Sequence, residues 1–152
     1  MDYDYMRELA QNYKKELTPL LRYLGWLEEH ADKSVSRQYD GGEQAKGTMA
    51  FPIYDSTLLG FVKEASRTSF MDKNYPYVYS RLQLKGPEDE RRAIESATLL
   101  EWNVLCGILS KYVLGGMTKG ALWTQAVTDR IFYMVLNKMK EIVEFWGKPI
   151  GQ

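Results

Sequence analysis

One carboxylate in this chain sits where a carboxylate is costly. If Ile94, Ala97, Val104, Leu105, Ile108 and Tyr112 share one continuous helix at about 100° per residue, Glu101 falls near the middle of their apolar face. A charge there needs a partner or is driven toward its neutral form. The chemistry to expect is a buried carboxylate answered by a hydrogen bond or ion pair, or an acid/base or ligand-reading group with a raised pKa. Arg130, Arg81 and Tyr133 are partners of the right type. The second candidate is the stretch GGMTKGALW, Gly115 to Trp123, where the amides of Thr118 to Ala121 head a helix beside the positive charge of Lys119. That is the make-up of an anion cradle, although not of a P-loop, which needs GxxxxGK and then Ser or Thr. Ordinary helix capping is the competing reading. The positions a ligand would touch are Glu101, Thr118, Lys119, Trp123 and Arg130.

Other reactive residues are few. His30 is the only histidine and ends a helical stretch, where its cationic form complements the helix dipole. Cys106, the only cysteine, lies between Leu105 and Gly107 in an apolar run, far in sequence from His30. There is no metal spacing, nucleotide fingerprint or GxSxG elbow, so no cofactor and no catalytic residue is assigned. A helix-turn-helix can be drawn over Gln125 to Lys140, but its second helix offers only Asn137, Lys138, Lys140 and Arg130 to phosphates.

Composition sets the limits on these sites. The chain has 152 residues with 45% apolar content, the size of one domain able to bury a core without disulfides. Twenty basic residues balance twenty acidic ones, so no global field draws in nucleic acid or an anionic membrane. A single cysteine fits a reducing compartment. The opening MDYDYMREL is unlike a signal peptide, and no uncharged apolar run reaches the roughly 18 residues of a membrane span. The expected location is cytoplasmic.

The elements that must position the candidates read as helices. Tyr3 to Glu16 has Met6, Leu9, Ala10, Tyr13 and Leu17 at three- and four-residue spacing. Thr18 and Pro19 restart it, making Leu20 to Ala31 a second helix or the far side of a kink. Asp32 to Thr48 is too polar to bury much and reads as an exposed mobile loop, with a lid or partner-binding loop as the functional alternative. MAFPIY suits an extended segment, with Pro52 against a central strand. Asp55 or Ser56 can cap a short helix burying Leu58, Phe61, Val62 and Ala65. The stretch Asp72 to Lys85 fits a strand by its alternating tyrosines and a helix by Tyr75, Val78, Tyr79 and Leu82. The helix is preferred because no strand partner is apparent.

Gly86, Pro87 and the acids Glu88, Asp89 and Glu90 make a helix start, opening a long helix to Leu114. Gly115 and Gly116 then supply a left-handed C-terminal cap. Thr118 is the expected cap of the next helix, which runs from about Ala121. Its later stripe is Ile131, Phe132, Val135, Leu136, Met139, Ile142, Val143 and Trp146.

The YD-capped short helix, the MDKNY segment, the apolar helix ending in YVLGGMTKGALW and the closing IFYMVLNKMKEI resemble an uncharacterised bacterial family of small helical proteins, a domain of unknown function. The likeness covers about Phe51 to Val143. This chain has Asp129 and Arg130 where such relatives often carry a small residue between the last two helices. The resemblance implies a helical fold and contributes nothing on chemistry.

The expectation is therefore an all-α, single-domain orthogonal or antiparallel bundle of five to seven helices over 1–152, with a mobile loop near 32–48. The helix to Leu114 and the one from Ala121 form its central antiparallel pair. Eleven tyrosines and four tryptophans suit a partner surface, since such side chains anchor interfaces. The preferred function is a non-enzymatic protein-interaction module, with a protein partner or a second copy of itself. The alternatives are a small-molecule or anion binder, or an enzyme, at Glu101 and the Gly116–Trp123 turn, and a weak DNA binder.

Overall fold

The computed structural model describes residues 2–32, 36–39 and 51–147, with backbone alone at 36–39 and 51–54. In chain order they form α1 (Tyr3–Leu21), α2 (Leu24–His30), β1 (Ser36–Tyr39), β2 (Phe51–Tyr54), α3 (Ser56–Ala65), α4 (Tyr75–Leu82), α5 (Pro87–Ser96), α6 (Trp102–Gly115), α7 (Ala121–Thr128) and α8 (Ile131–Gly147). The architecture is the all-α bundle expected, although eight α-helices among the described residues exceed the anticipated five to seven. The excess arises because two expected helices are each divided. No helix among the described residues is long and apolar enough to cross a membrane.

The core is built on α8, whose Ile131, Phe132, Val135, Leu136, Met139, Ile142 and Val143 are all buried, as their spacing predicts. It packs against α1, α2, α5, α6 and α7, and most extensively against α1. The expected pairing is present in pieces, with α8 on α5 and α6, and α7 on α6, but the most extensive single packing is that of α1 on α8. α6 is apolar almost all round and correspondingly interior. Phe132 joins the layers, its ring edge-on to Phe61 at 5.0 Å and to Tyr112 at 6.2 Å.

Asp2 starts α1, its Oδ1 accepting from the Tyr5 amide at 3.0 Å. The helix then runs through Pro19 and breaks at Arg22–Tyr23 instead of at Thr18. Thr18, Pro19 and Lys15 are all exposed, so the Lys15 carbonyl that loses its bond to the proline can turn to water. The Asp55 cap of α3 and its four buried positions are as expected, and Asp72–Lys85 contains a helix, α4, with Pro76 in its first turn.

Three expectations are corrected. Ser36–Tyr39 is no loop: it pairs antiparallel with Phe51–Tyr54, Ser36 opposite Tyr54 and Tyr39 opposite Phe51. Each strand of such a ribbon keeps an open edge, which is where Pro52 is tolerated. Apart from Asp32, which follows α2, the rest of the supposed loop at 32–48 lies outside the described residues. The helix from Pro87 does not reach Leu114, because the chain turns extended at Ala97 and Thr98, passes through a 3-10 turn at Leu99–Glu101 and restarts as α6. Gly116 is right-handed, at φ −67° and ψ −18°, so no left-handed cap closes α6.

Candidate functional site

The break between α5 and α6 relocates Glu101. Thr98, Leu99, Leu100 and Glu101 form a capping box. The Thr98 hydroxyl accepts from the Leu100 amide at 3.3 Å, and the Glu101 carboxylate accepts from the Thr98 amide at 3.3 Å and its hydroxyl at 3.2 Å. Glu101 is only partly buried, and its acceptors are spent on a helix start. Of its expected partners, Arg130 is elsewhere, 3.7 Å from Asp32. Those two share a local need. Both lie in the left-handed region, at φ 69° for Arg130 and 67° for Asp32, and the Asp32 amide donates to the Thr128 carbonyl at 2.9 Å, tying the end of α2 to the end of α7.

The acid that is enclosed by the fold is Glu90, which is fully buried. Both of its oxygens are answered. The hydroxyls of Tyr112 (2.6 Å) and Tyr79 donate to it, and Lys111 Nζ lies at 3.4 Å, over the rings of both tyrosines. Burial first, and the neighbouring carboxylate second, push both phenols above their ordinary range. By sequence Glu90 belongs with Glu88 and Asp89 among the first-turn acids that complement the helix dipole. The signal that could separate them is its i, i+4 relation to Ile94, the buried position of the next turn. With two donors and a cation the cluster is a satisfied buried network, which pins α4, α5 and α6 together.

The glycine turn is a packing device. A Cβ on Gly116 would lie 2.1 Å from Trp123 Cδ1 and Nε1, and one on Gly115 would lie 2.9 Å from Leu122 Cδ1. Removing both side chains lets the indole lie across the helix end and donate from Nε1 to the Val113 carbonyl at 3.1 Å. The amides of Thr118 and Lys119 both donate to the Gly115 carbonyl, at 3.2 and 3.0 Å, and Gly120 precedes α7 with no side-chain cap. Two of the amides an anion would need are therefore engaged, and Thr118 is not the cap. Thr118 and Lys119 are exposed, and Trp123 is half-buried. The five positions expected to share a ligand are distributed over the α5–α6 break, the glycine corner and the α7–α8 junction.

Neither reactive singleton is poised for chemistry. Nδ1 of His30 donates to the Trp26 carbonyl at 2.9 Å, and the ring stacks on Trp26. Burial pushes the Cys106 thiol up to about 12, with help from the charges of Asp72 and Glu16, so almost none of it is thiolate at neutral pH. The α8 side chains that a DNA reader would use are already engaged: Asn137 and Lys138 with Glu141, Lys138 also with the Glu95 carbonyl, and Lys140 with Glu144.

Two surface depressions meet at Leu100, which lines both. One, of about 810 Å3, is a mixed groove between α4, α5 and the start of α6, lined by Arg81, Arg92, Asp89 and Glu101 together with Tyr77 and Leu82. The other, of about 500 Å3, is an apolar cleft between Ala97–Leu100 and the last turns of α8, with Ile142, Phe145 and Trp146. Leu100 is 63% exposed and Phe145 67%. Tyr3, 61% exposed, extends the cleft, its ring 6.0 Å from that of Trp146. Tyr3, Trp146, Phe145 and Leu100 thus follow one another from the start of α1 to the α5–α6 break. Compared with known proteins, the chain matches no family model, no curated protein and no solved structure.

Proposed function

We propose that the chain is a non-enzymatic interaction module that docks a protein partner on the strip of Tyr3, Trp146, Phe145, Ile142 and Leu100. The single observation that carries this reading is the exposure of Leu100 and Phe145 beside one apolar cleft that both of them line. Isolated exposed apolar residues are ordinary, but a contiguous set lining a cleft is the composition of an interface core. The half-buried aromatic and flanking ions supply the anchor and polar rim such surfaces use. A cytoplasmic setting belongs to the same proposal.

The test is to pan a phage-displayed library of random peptides on the immobilised chain. The reading expects enriched peptides carrying apolar anchors whose binding drops at least about tenfold on Phe145→Asp and Leu100→Asp. It is abandoned if nothing is enriched, or if enriched peptides bind both variants as well as the parent chain.

A second reading rests on the mixed groove, which Glu101 and Asn103 line together with Arg81 and Arg92. It makes the groove a site for a small carboxylate or phosphate. It predicts a thermal upshift with millimolar citrate or inorganic phosphate that is lost in Arg81→Ala.

A further inference from the structure

A third depression, of about 340 Å3, opens between α1, the segment joining α3 to α4, and the first turns of α6. That volume lies at the small end of ligand pockets, which span about 300–1,000 Å3. Its walls are tied from two sides. Glu16 on α1 accepts from the Ser69 amide at 2.9 Å and from the Ser69 hydroxyl. The fully buried Ser110 on α6 accepts from the Asp72 amide at 2.8 Å and donates to the Cys106 carbonyl at 2.6 Å. The stretch from Ser69 to Asp72 is thereby fastened to both helices, so the pocket between them is formed before anything enters it.

The lining has one aromatic cluster and one sign of charge. Tyr13 stacks on Trp102 with ring centroids 4.4 Å apart, Phe70 stands edge-on to Trp102 at 5.7 Å, and all three line the pocket. Aromatic walls suit an apolar body and attract an organic cation through the ring quadrupole. Asp72 is the charged residue of the lining. Its Oδ1 accepts from the Asn74 amide at 2.8 Å, while its Oδ2 has no hydrogen bond or ion pair among the described residues. Burial, and after it the charges of Asp72 and Glu16, raise the thiol of Cys106, which also lines the pocket, so both acids are felt there. Trp102 is 4% exposed, and its Nε1 is buried with no hydrogen-bond partner among the described residues. Buried donors are ordinarily answered, and one left open in a pocket wall points to an absent acceptor.

We propose that this pocket binds a small organic ammonium ion that also carries an oxygen acceptor. Asp72 supplies the counter-charge, the rings of Tyr13, Phe70 and Trp102 pack on the alkyl groups, and the oxygen answers the Trp102 N–H. A hard metal ion needs several oxygen ligands and finds one carboxylate in the lining. An anion would meet the charge of Asp72. The site is separate from the cleft at Leu100 and Phe145 and does not depend on the interaction reading.

Proton–nitrogen NMR titration of the full chain with choline tests the proposal, with dimethylbutanol, the uncharged isostere that has carbon in place of nitrogen, as the comparison. Choline should saturate in the millimolar range or below and displace the Trp102 indole N–H signal, which is identified by its loss in Trp102→Phe. The isostere should bind at least about tenfold more weakly. Asp72→Asn keeps an oxygen for the Asn74 amide and removes the charge. It should weaken choline about tenfold and leave the isostere unchanged. Far-ultraviolet circular dichroism checks that each variant is folded. The proposal is overturned if choline fails to saturate at tens of millimolar, if the isostere or Asp72→Asn matches the parent affinity for choline, or if the shifts fall outside the pocket.

Discussion

The Tyr112 hydroxyl donates to the Glu90 carboxylate over 2.6 Å across a separation of 22 residues, in a part of the core closed to water. Tyr79 and Lys111 complete the set, so α4, α5 and α6 are held by one polar cluster as well as by apolar packing. Tyr112→Phe removes one of the donors while leaving the ring in place, and should lower stability by about 1–3 kcal/mol in urea denaturation. Glu90→Ala removes the acceptor shared by both phenols and should cost about 3 kcal/mol or more. If Glu90→Ala unfolds at the same urea concentration as the parent chain, the cluster does not hold these helices together.

Three groups, two buried and one partly buried, make the fold sensitive to alkali. The Cys106 thiol and the Tyr79 and Tyr112 phenols keep their protons in the folded state at pH values where the unfolded chain gives them up. Above the ordinary thiol value the unfolded chain therefore binds fewer protons than the folded one, and stability falls as pH rises. The loss from Cys106 should begin near pH 9 and continue to about 12, with a limiting slope of about 1.4 kcal/mol per pH unit for each group in its window. Urea midpoints measured from pH 7 upward should be flat at first and then decline. In Cys106→Ala the decline should be shallower just above pH 9.

The close approach of Trp123 to Gly116 predicts an unusual pair of variants. Gly116→Ala places a methyl where the indole already is, and should destabilise by about 1–3 kcal/mol while shifting the tryptophan emission. In the background of Trp123→Ala the same change should be nearly neutral or slightly favourable, because alanine suits a right-handed helix end better than glycine. Additive effects in the double variant would remove the steric explanation.

Glu101 acts as a helix-starting acid, and glutamine can take that role. Glu101→Gln should leave the thermal midpoint within a degree or two. Thr98→Ala should cost about 1 kcal/mol through loss of the cap. A larger effect of Glu101→Gln than of Thr98→Ala would assign Glu101 a role beyond capping.

Much of the fold could be read from local pattern. The α8 stripe, the Asp55 cap, the Asn74–Pro76 helix start and the corner at Gly115 and Gly116 are decided within a few residues by periodicity and by which side chains can cap or turn. By sequence the corner calls on glycine's left-handed freedom, yet Gly116 is needed because the indole seven residues further on occupies the space of its Cβ, which only packing reveals. The Thr98–Glu101 box was legible as a T-x-x-E pattern. A helical wheel drawn from Ile94 to Tyr112 runs straight through it and places Glu101 on an apolar face that the residue does not occupy.

The sequence by itself determined that helices form and where most of them start and stop, because those outcomes depend on interactions spanning one or two turns. Only the tertiary structure decided which acid is enclosed, which helix packs most extensively on α8, and that Tyr3, Leu100, Phe145 and Trp146 share one face. Those relations join residues tens of positions apart, and neither helical period nor capping chemistry encodes distance across a core.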